Sequence, residues 1–319
     1  MSALAPLTGI VLVLVLAALT TPSFFSTSVL RLVLFQIGVI GIMAIGQTMV
    51  LLLGGIDLSL SAVVSMTSVV LAIYTGGSDE RLMVGVLLCA VVGLAVGLLN
   101  AGLVVVRSVP PFVATFATFV LLQGVIIAWT RGAPSGRIPP GLGWLGSGRV
   151  LGIPVPALLF IAIAVVAGFI LGRTTGGRRL YATGLNPDAA RMSGIRVGLV
   201  TCVGYVVASL TGVLAGLINA SFIGFVDSAL VGSLDLNSIA AAVIGGIALA
   251  GGKGRIHQTV LGTILLAALL TWLIQLGAGG GAQLVVSGSV ILLAVWLQKP
   301  TLNLRRHRRH NPQPAPGHT

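Results

Sequence analysis

Acidic residues are scarce in this chain, with six Asp and Glu in 319 positions. They are too few and too scattered to form a relay of proton-passing carboxylates. Charge of either sign is thin, at 8% of residues, where a soluble domain carries about 25%. Cys89 and Cys202 are the two cysteines, each inside an apolar run and without paired spacing. They read as small core residues rather than as a disulfide or metal pair. His257 and three tail histidines leave no clustered metal ligands, and no H-E-x-x-H or G-x-S-x-G occurs. Catalysis in the membrane is therefore not expected, with no catalytic residue, metal or chain-bound cofactor assigned. The stretch "GGIALAGGKG" is not a nucleotide-binding loop either: the leading glycine position is Ile247, and Gly254 replaces the Ser or Thr. No Lys or Arg precedes the first apolar run. A removed signal peptide carries a basic leader, so that run is expected to stay as a helix.

Apolar sequence is what the chain has in quantity. Hydrophobic residues make up 56% of it, and the mean hydropathy is +1.10. Ten apolar segments run roughly over 8–22, 31–53, 57–73, 82–106, 112–130, 154–172, 197–220, 236–252, 256–276 and 282–298. Backbone groups in hydrocarbon must be satisfied internally, and these runs lack a period of two, so helices are expected rather than a barrel. The fold class is an all-α polytopic membrane protein of about ten transmembrane or half-membrane helices. Residues 1–298 form one transmembrane domain, and 299–319 read as a basic, disordered cytoplasmic tail.

The net charge of +12 follows topology rather than nucleic acid, because no basic groove with interleaved aromatics is present. Gap 173–196 holds five arginines against Asp188, gap 253–257 holds Lys253 and Arg255, and the tail after Lys299 holds four arginines. These are expected on the cytoplasmic side. Gap 74–81, with Asp79 and Glu80, and gap 221–235, with Asp227 and Asp235, are expected outside. Ten crossings with both termini inside satisfy all five. The long Pro/Gly-rich segment 131–153 also falls outside on this scheme, although it carries Arg131, Arg137 and Arg149.

"GGIDLSLSAVVS" (54–65) and "GSLDLNSIAAAV" (232–243) each set Asp-Leu before an apolar run. A 5+5 inverted repeat and chance similarity both account for this echo. Asp57 is costly at mid-bilayer, by about 2.5–3.5 kcal/mol on insertion scales. Either it caps a helix opening at Leu58, with Ser59 assisting, or it meets a polar solute. Asp235 with Asn237 poses the same choice. Gln47, Asn100, Gln123 and Gln275 suit either helix-joining hydrogen bonds or a hydroxyl-rich ligand. Phe112, Phe116 and Phe119 suit either lipid or the face of a sugar. Within 173–196, "NPDAARMSG" reads as a short helix with Asn186 as N-cap, Pro187 at the first position, Asp188 in the first turn and Gly194 as terminator. A capped helix in a connector fits docking of a soluble partner.

Four stretches in order, "GQTMVLLLGGIDLSLSAVVSM", "PPFVATFATFVLLQGV", "YATGLNPDAARMSGIRV" and "LDLNSIAAAVIGGIALAGGKGRIHQTVLGTILLAAL", resemble the membrane permease of ribose-type ABC sugar importers. The resemblance covers about residues 30–298. It implies the transmembrane subunit of an ATP-driven importer in a bacterial cytoplasmic membrane. Its partners would be cytoplasmic ABC ATPase subunits that bind ATP-Mg, an extracytoplasmic solute-binding protein, a second permease copy and the bilayer. It further implies an ATPase-coupling loop at Gly184, Asn186, Pro187, Ala189, Ala190, Arg191, Ser193 and Gly194. Asp57, Ser59, Asn100, Phe116, Gln123, Asp235 and Asn237 are candidates for the translocation pathway. Ala117, Gln123 and Asp235 depart from residues common in the family, near plausible pathway walls. Branched-chain amino-acid import, an ion-coupled secondary carrier and a docking scaffold stand as alternatives.

Overall fold

The computed structural model describes residues 4–225 and 234–297. Asp227 and the tail 299–319 lie outside the described residues. Each of the ten apolar segments contains a helix. They are α1 (Leu4–Thr20), α2 (Thr27–Leu52), α3 (Leu60–Thr75), α4 (Leu82–Val105), α5 (Pro111–Thr130), α7 (Val155–Arg173), α10 (Val197–Ile223), α11 (Leu234–Gly245), α12 (Ile256–Gln275) and α13 (Gly280–Leu297). Short helices α6 (Gly143–Ser147), α8 (Thr175–Leu185) and α9 (Pro187–Met192) lie in the connections, with one hairpin, β1 (Arg149–Val150) and β2 (Ile153–Pro154). Helices α2, α4, α5, α7, α10 and α12 are long and apolar enough to cross a bilayer, whereas α1, α3, α11 and α13 are shorter.

Helix α2 forms the centre. Every residue from Gly38 to Leu52 is buried, as is every residue of α3 from Leu60 to Ala72. A helix apolar all round belongs inside a bundle, not on its surface. Around that centre, neighbour relations repeat. Helix α3 packs on α4 and α5 as α11 packs on α12 and α13. Helix α10 packs on α3 and α4 as α2 packs on α11 and α12. Counting α1–α5 as one five, and α7 with α10–α13 as the other, the second to fifth helices correspond. Helix α4 meets α10 through a seam of small residues that includes Gly93 and Gly97, which lets the two backbones approach.

The connections sort into two ends. At one end the Gly252 N–H donates to the Leu52 carbonyl at 2.8 Å, and the Tyr181 hydroxyl donates to the Gly254 carbonyl at 2.7 Å. The 52–59, 173–196 and 246–255 connections thus meet at the end richest in arginine. At the other end the Gly141 N–H donates to Asp79 Oδ1 at 2.7 Å, and the Ile138 N–H donates to the Gly224 carbonyl at 3.1 Å. Segment 131–153 therefore joins 76–81 and 224–225, the side on which the ten-crossing scheme set it despite its arginines. Helix α3 leads away from the basic end and α11 leads toward it, the directional relation an inverted repeat requires.

Two boundaries differ from the sequence reading. The third apolar segment does not turn helical at Leu58: residues 55–59 are irregular, and α3 starts at Leu60 with Ser59 as its N-cap residue. The eighth segment stops being helical at Gly245, and 246–255 fold back as glycine turns. Side-chain hydrogen bonding at Asp57, and paired glycines in both places, compete with continued helix.

Candidate functional site

The non-helical break 55–59 lies inside the bundle, where bare N–H and C=O groups must find protein partners. Helices α2 and α5 supply them, and α4 holds the Ser59 side chain. From α2, the Gln47 carboxamide, oriented by its hydrogen-bonding surroundings, donates through Nε2 to the Asp57 carbonyl at 3.0 Å and accepts the Asp57 N–H at 3.1 Å. From α5, Thr115 Oγ1 accepts the Leu58 N–H at 3.2 Å and lies 3.0 Å from the Ile56 carbonyl. From α4, Asn100 Nδ2 donates to Ser59 Oγ at 2.9 Å. Ser59 then donates twice to Asp57 Oδ1, through its backbone N–H at 2.8 Å and its hydroxyl at 2.6 Å. Asp57, Ser59, Gln47 and Asn100 are all fully buried.

Asp235 lies in the first turn of α11, and its Oδ1 accepts the Leu236 N–H at 2.8 Å. Ser61 of α3 lies beside this carboxylate, whose charge is close enough to reach Asp57. Two helix N-termini therefore converge on two carboxylates, a favourable sign for each pair of charge and dipole. Asn237 accepts the Ser287 hydroxyl of α13 at 3.1 Å. Of the seven residues singled out for the pathway, Asp57, Ser59 and Asn100 form one network, with Asp235 and Asn237 next to it. Phe116 and Gln123 are not part of it. Phe116 is exposed on α5, stacked between Phe112 and Phe119 at centroid distances of 6.1 and 6.2 Å. Gln123 is half-buried on the same helix.

The basic end carries the expected short helix. Asn186 Oδ1 accepts the N–H groups of Asp188 and Ala189 at 3.1 Å each, Pro187 opens α9, and Gly194 adopts a left-handed φ of 78°. Ala190 is buried, while Arg191 pairs with Asp188 on the surface at 2.6 Å, a contact of little energetic weight. Leu185 and Met192 flank the cap and are exposed, Met192 at 91%.

Helix α8, directly before it, was not foreseen. Thr174 caps it by accepting the Gly177 N–H at 3.3 Å, and it buries Leu180 and Thr183 while exposing Arg178 and Arg179. A threonine with helix-capping chemistry before the run was the available signal. The phenol of Tyr181 on α8 titrates above its ordinary range because it is partly buried, with Arg255 opposing the shift. It stays a donor at any working pH. Tyr181→Phe is expected to remove about 1 kcal/mol of stability. Thermal unfolding should show this as a fall of about 2–4 °C.

Three glycine-rich points interlock beneath the break. Gly184 at the end of α8 presses so closely on the Leu52 carbonyl that a Cβ there would collide with it, and would lie 2.8 Å from the Gly252 nitrogen. The Leu52–Gly252 hydrogen bond closes the junction. The basic loop that carries α9 is thus in direct backbone contact with the end of α2, five residues before Asp57. Sequence reasoning marked each of these stretches but had no means of joining them.

Comparison with known proteins fits this architecture. The family model described as the permease component of the branched-chain amino acid transport system matches residues 29–295. The ribose import permease protein RbsC of Bacillus subtilis is 35% identical over 302 residues, covering 94% of this chain and 93% of that protein. RbsC of Escherichia coli K12 is 34% identical over 296 residues, 91% of each. The autoinducer 2 import system permease protein LsrC of Salmonella paratyphi B is 31% identical over 286 residues, 90% of this chain and 82% of that protein. No solved structure matches at a significant level. With a polytopic helical bundle, a buried break held by three helices and relatives matched over nearly its whole length, the chain belongs to this family of membrane permease components.

Proposed function

We propose that this permease is the membrane-spanning subunit of an ATP-driven importer for a sugar or sugar-like solute. A binding protein outside the cytoplasmic membrane delivers the solute, and two permease copies, or one copy and a paralogue, enclose the path. Both termini face the cytoplasm. ATP-Mg is bound by separate ATPase subunits, which grip α8 and α9. The sugar reading rests on the names of the ribose and autoinducer relatives at 31–35% identity. The coupling reading rests on one observation: Gly184 joins the docking helices to the Leu52 end of α2 by backbone contact.

In this reading the exposed Leu185 and Met192 enter a hollow on the ATPase. Closure of the two ATPase subunits shifts α8 and α9 and works the 52–59 break through the Gly184–Leu52–Gly252 junction. The junction biases a two-state opening, which is all that a differential ligand needs to shift. Asp57, Ser59, Asn100, Asp235 and Asn237 line the path when the break opens.

The test is co-purification and uptake in liposomes with the ATPase and binding protein present. Deleting Asn186–Gly194, or Arg191→Glu with Met192→Glu, is expected to lose the ATPase from the complex and to abolish ATP-driven uptake. Uptake driven by an ion gradient through this chain alone would overturn the assignment. The ligand retained by the cognate binding protein decides the substrate, and a branched-chain amino acid found there would replace the sugar.

A further inference from the structure

A second feature lies away from the path. Helix α7, the start of α8 and the beginning of α12 enclose a groove of about 1170 Å³. One stretch of its wall is apolar, running along α7 from Phe160 to Gly172. Ile161 and Val165 are exposed there at 54% and 66%. From Phe160 to Gly172 the helix rises about 18 Å. That is close to the depth of one leaflet, about half of a 30 Å hydrocarbon core. Gly172 has no neighbour within 4 Å of a built Cβ, and Gly168 only the Ile256 Cβ at 3.9 Å. The groove is open because these two positions carry no side chain.

The other stretch is basic. Arg178, Lys253, Arg255 and His257 line the groove at the end of the bundle where the arginine-rich connections meet. Among the described residues the one ion pair is Arg191 with Asp188, so no carboxylate answers the three permanent cations of the groove. An acyl-length apolar wall ending at uncompensated cations is complementary to a molecule with a long hydrocarbon tail and an anionic head.

We propose that this groove is a binding site for one anionic phospholipid, with an acyl chain along α7 beside Gly168 and Gly172 and its phosphate among Arg178, Lys253 and Arg255. Basic pockets between membrane helices recognise such head groups, with each Lys or Arg adding attraction. The site borders Tyr181 and the Gly252–Gly254 turn, so an occupant braces the outer side of the junction that Gly184 closes from within. The inference goes beyond the proposed transport role. It requires only that the chain lies in a membrane, and not which leaflet the basic end faces.

The full chain, reconstituted in nanodiscs of mixed phosphatidylglycerol and phosphatidylcholine and released for native mass spectrometry, tests it. Wild type is expected to retain one phosphatidylglycerol, enriched about tenfold over phosphatidylcholine. Replacing Arg178, Lys253 and Arg255 together with Gln should bring retention to the bulk lipid ratio. Gly168→Leu with Gly172→Leu leaves every charge in place and fills the tail groove. It should lower retention of both lipids, and it remains a valid test if the charge variant accumulates poorly. Unchanged phosphatidylglycerol retention in the glycine pair would overturn the proposal. So would displacement by inorganic phosphate, which would mark an anion site without a tail. Loss of ATPase binding in the charge variant with lipid retention intact would make the groove a protein contact, and would equally overturn it.

Discussion

Gly184→Ala is expected to lower the melting temperature of the detergent-solubilised permease by about 5–10 °C, and Gly184→Leu to leave little folded protein. A Cβ at this position meets the backbone of Leu52 and Gly252, not the movable end of a side chain. Nothing can rotate away. Either the α8 end lifts from α2, or the 2.8 Å bond between Gly252 and Leu52 breaks. Overpacking of this kind costs about 1–3 kcal/mol, and the lost hydrogen bond about 1 more. The matched control is Gly102→Ala on α4, where a Cβ has no neighbour within 4 Å. Relief of glycine's helix penalty should make that change neutral, or stabilising by about 0.5–1 kcal/mol. The protein that survives Gly184→Ala should also couple poorly. At equal permease in liposomes, ATP hydrolysis should persist while uptake per ATP falls. Gly184→Ala melting with the wild type and transporting normally would remove the junction from the account of coupling.

The fold was legible to the extent that it depends on hydrophobicity. All ten apolar segments became helices, because in a membrane an apolar stretch of that length has no other way to satisfy its backbone. The Asn186–Gly194 helix was legible as well. Its N-cap, first-position proline and terminating glycine are local signals that need no distant partner. What stayed hidden depends on distant contacts. Gln47 and Asn100 each allowed two readings from sequence, and only the position of the 55–59 segment shows that Gln47 satisfies its backbone while Asn100 bonds the Ser59 hydroxyl. Thr115 drew no attention because a threonine in an apolar helix ordinarily returns its hydroxyl to its own helix. Here it also accepts the Leu58 N–H from another segment. Gly54 and Gly184 are 130 residues apart, and Gly184 and Gly251 are 67 apart. Sequence marks such residues as breaks and cannot say that the breaks touch. The α3 boundary failed for a related reason. Asp57 before an apolar run has the sequence form of a cap, but its carboxylate is engaged by Ser59, which makes Ser59 the first residue of the turn.

Asp57 separates a structural from a transport contribution when three substitutions are compared. Asp57→Ala removes the acceptor of two buried hydrogen bonds and leaves the Ser59 N–H and hydroxyl without it. Each orphaned donor costs about 1–3 kcal/mol, so accumulation in the membrane should drop sharply. Asp57→Asn keeps Oδ1, and with it both bonds, while the negative charge disappears. It should accumulate as wild type and melt no lower. Asn100→Leu lies between them: the bond to Ser59 Oγ is lost, yet Ser59 still donates to Asp57. Transport then reads the charge. Asp235 lies close enough for its charge to reach Asp57, so two negative charges there would oppose closing of the break. Neutralising one of them favours closure. A bias of about 1 kcal/mol toward the closed state shifts the ratio about fivefold. ATP-driven uptake by Asp57→Asn should therefore fall by about that factor while assembly persists, and Asp235→Asn should do the same. If both Asn variants transport at the wild-type rate, the carboxylates serve only to hold the break, and the path must open elsewhere. If Asp57→Asn is as poorly accumulated as Asp57→Ala, the charge itself holds the fold, through the α3 dipole rather than through hydrogen bonds.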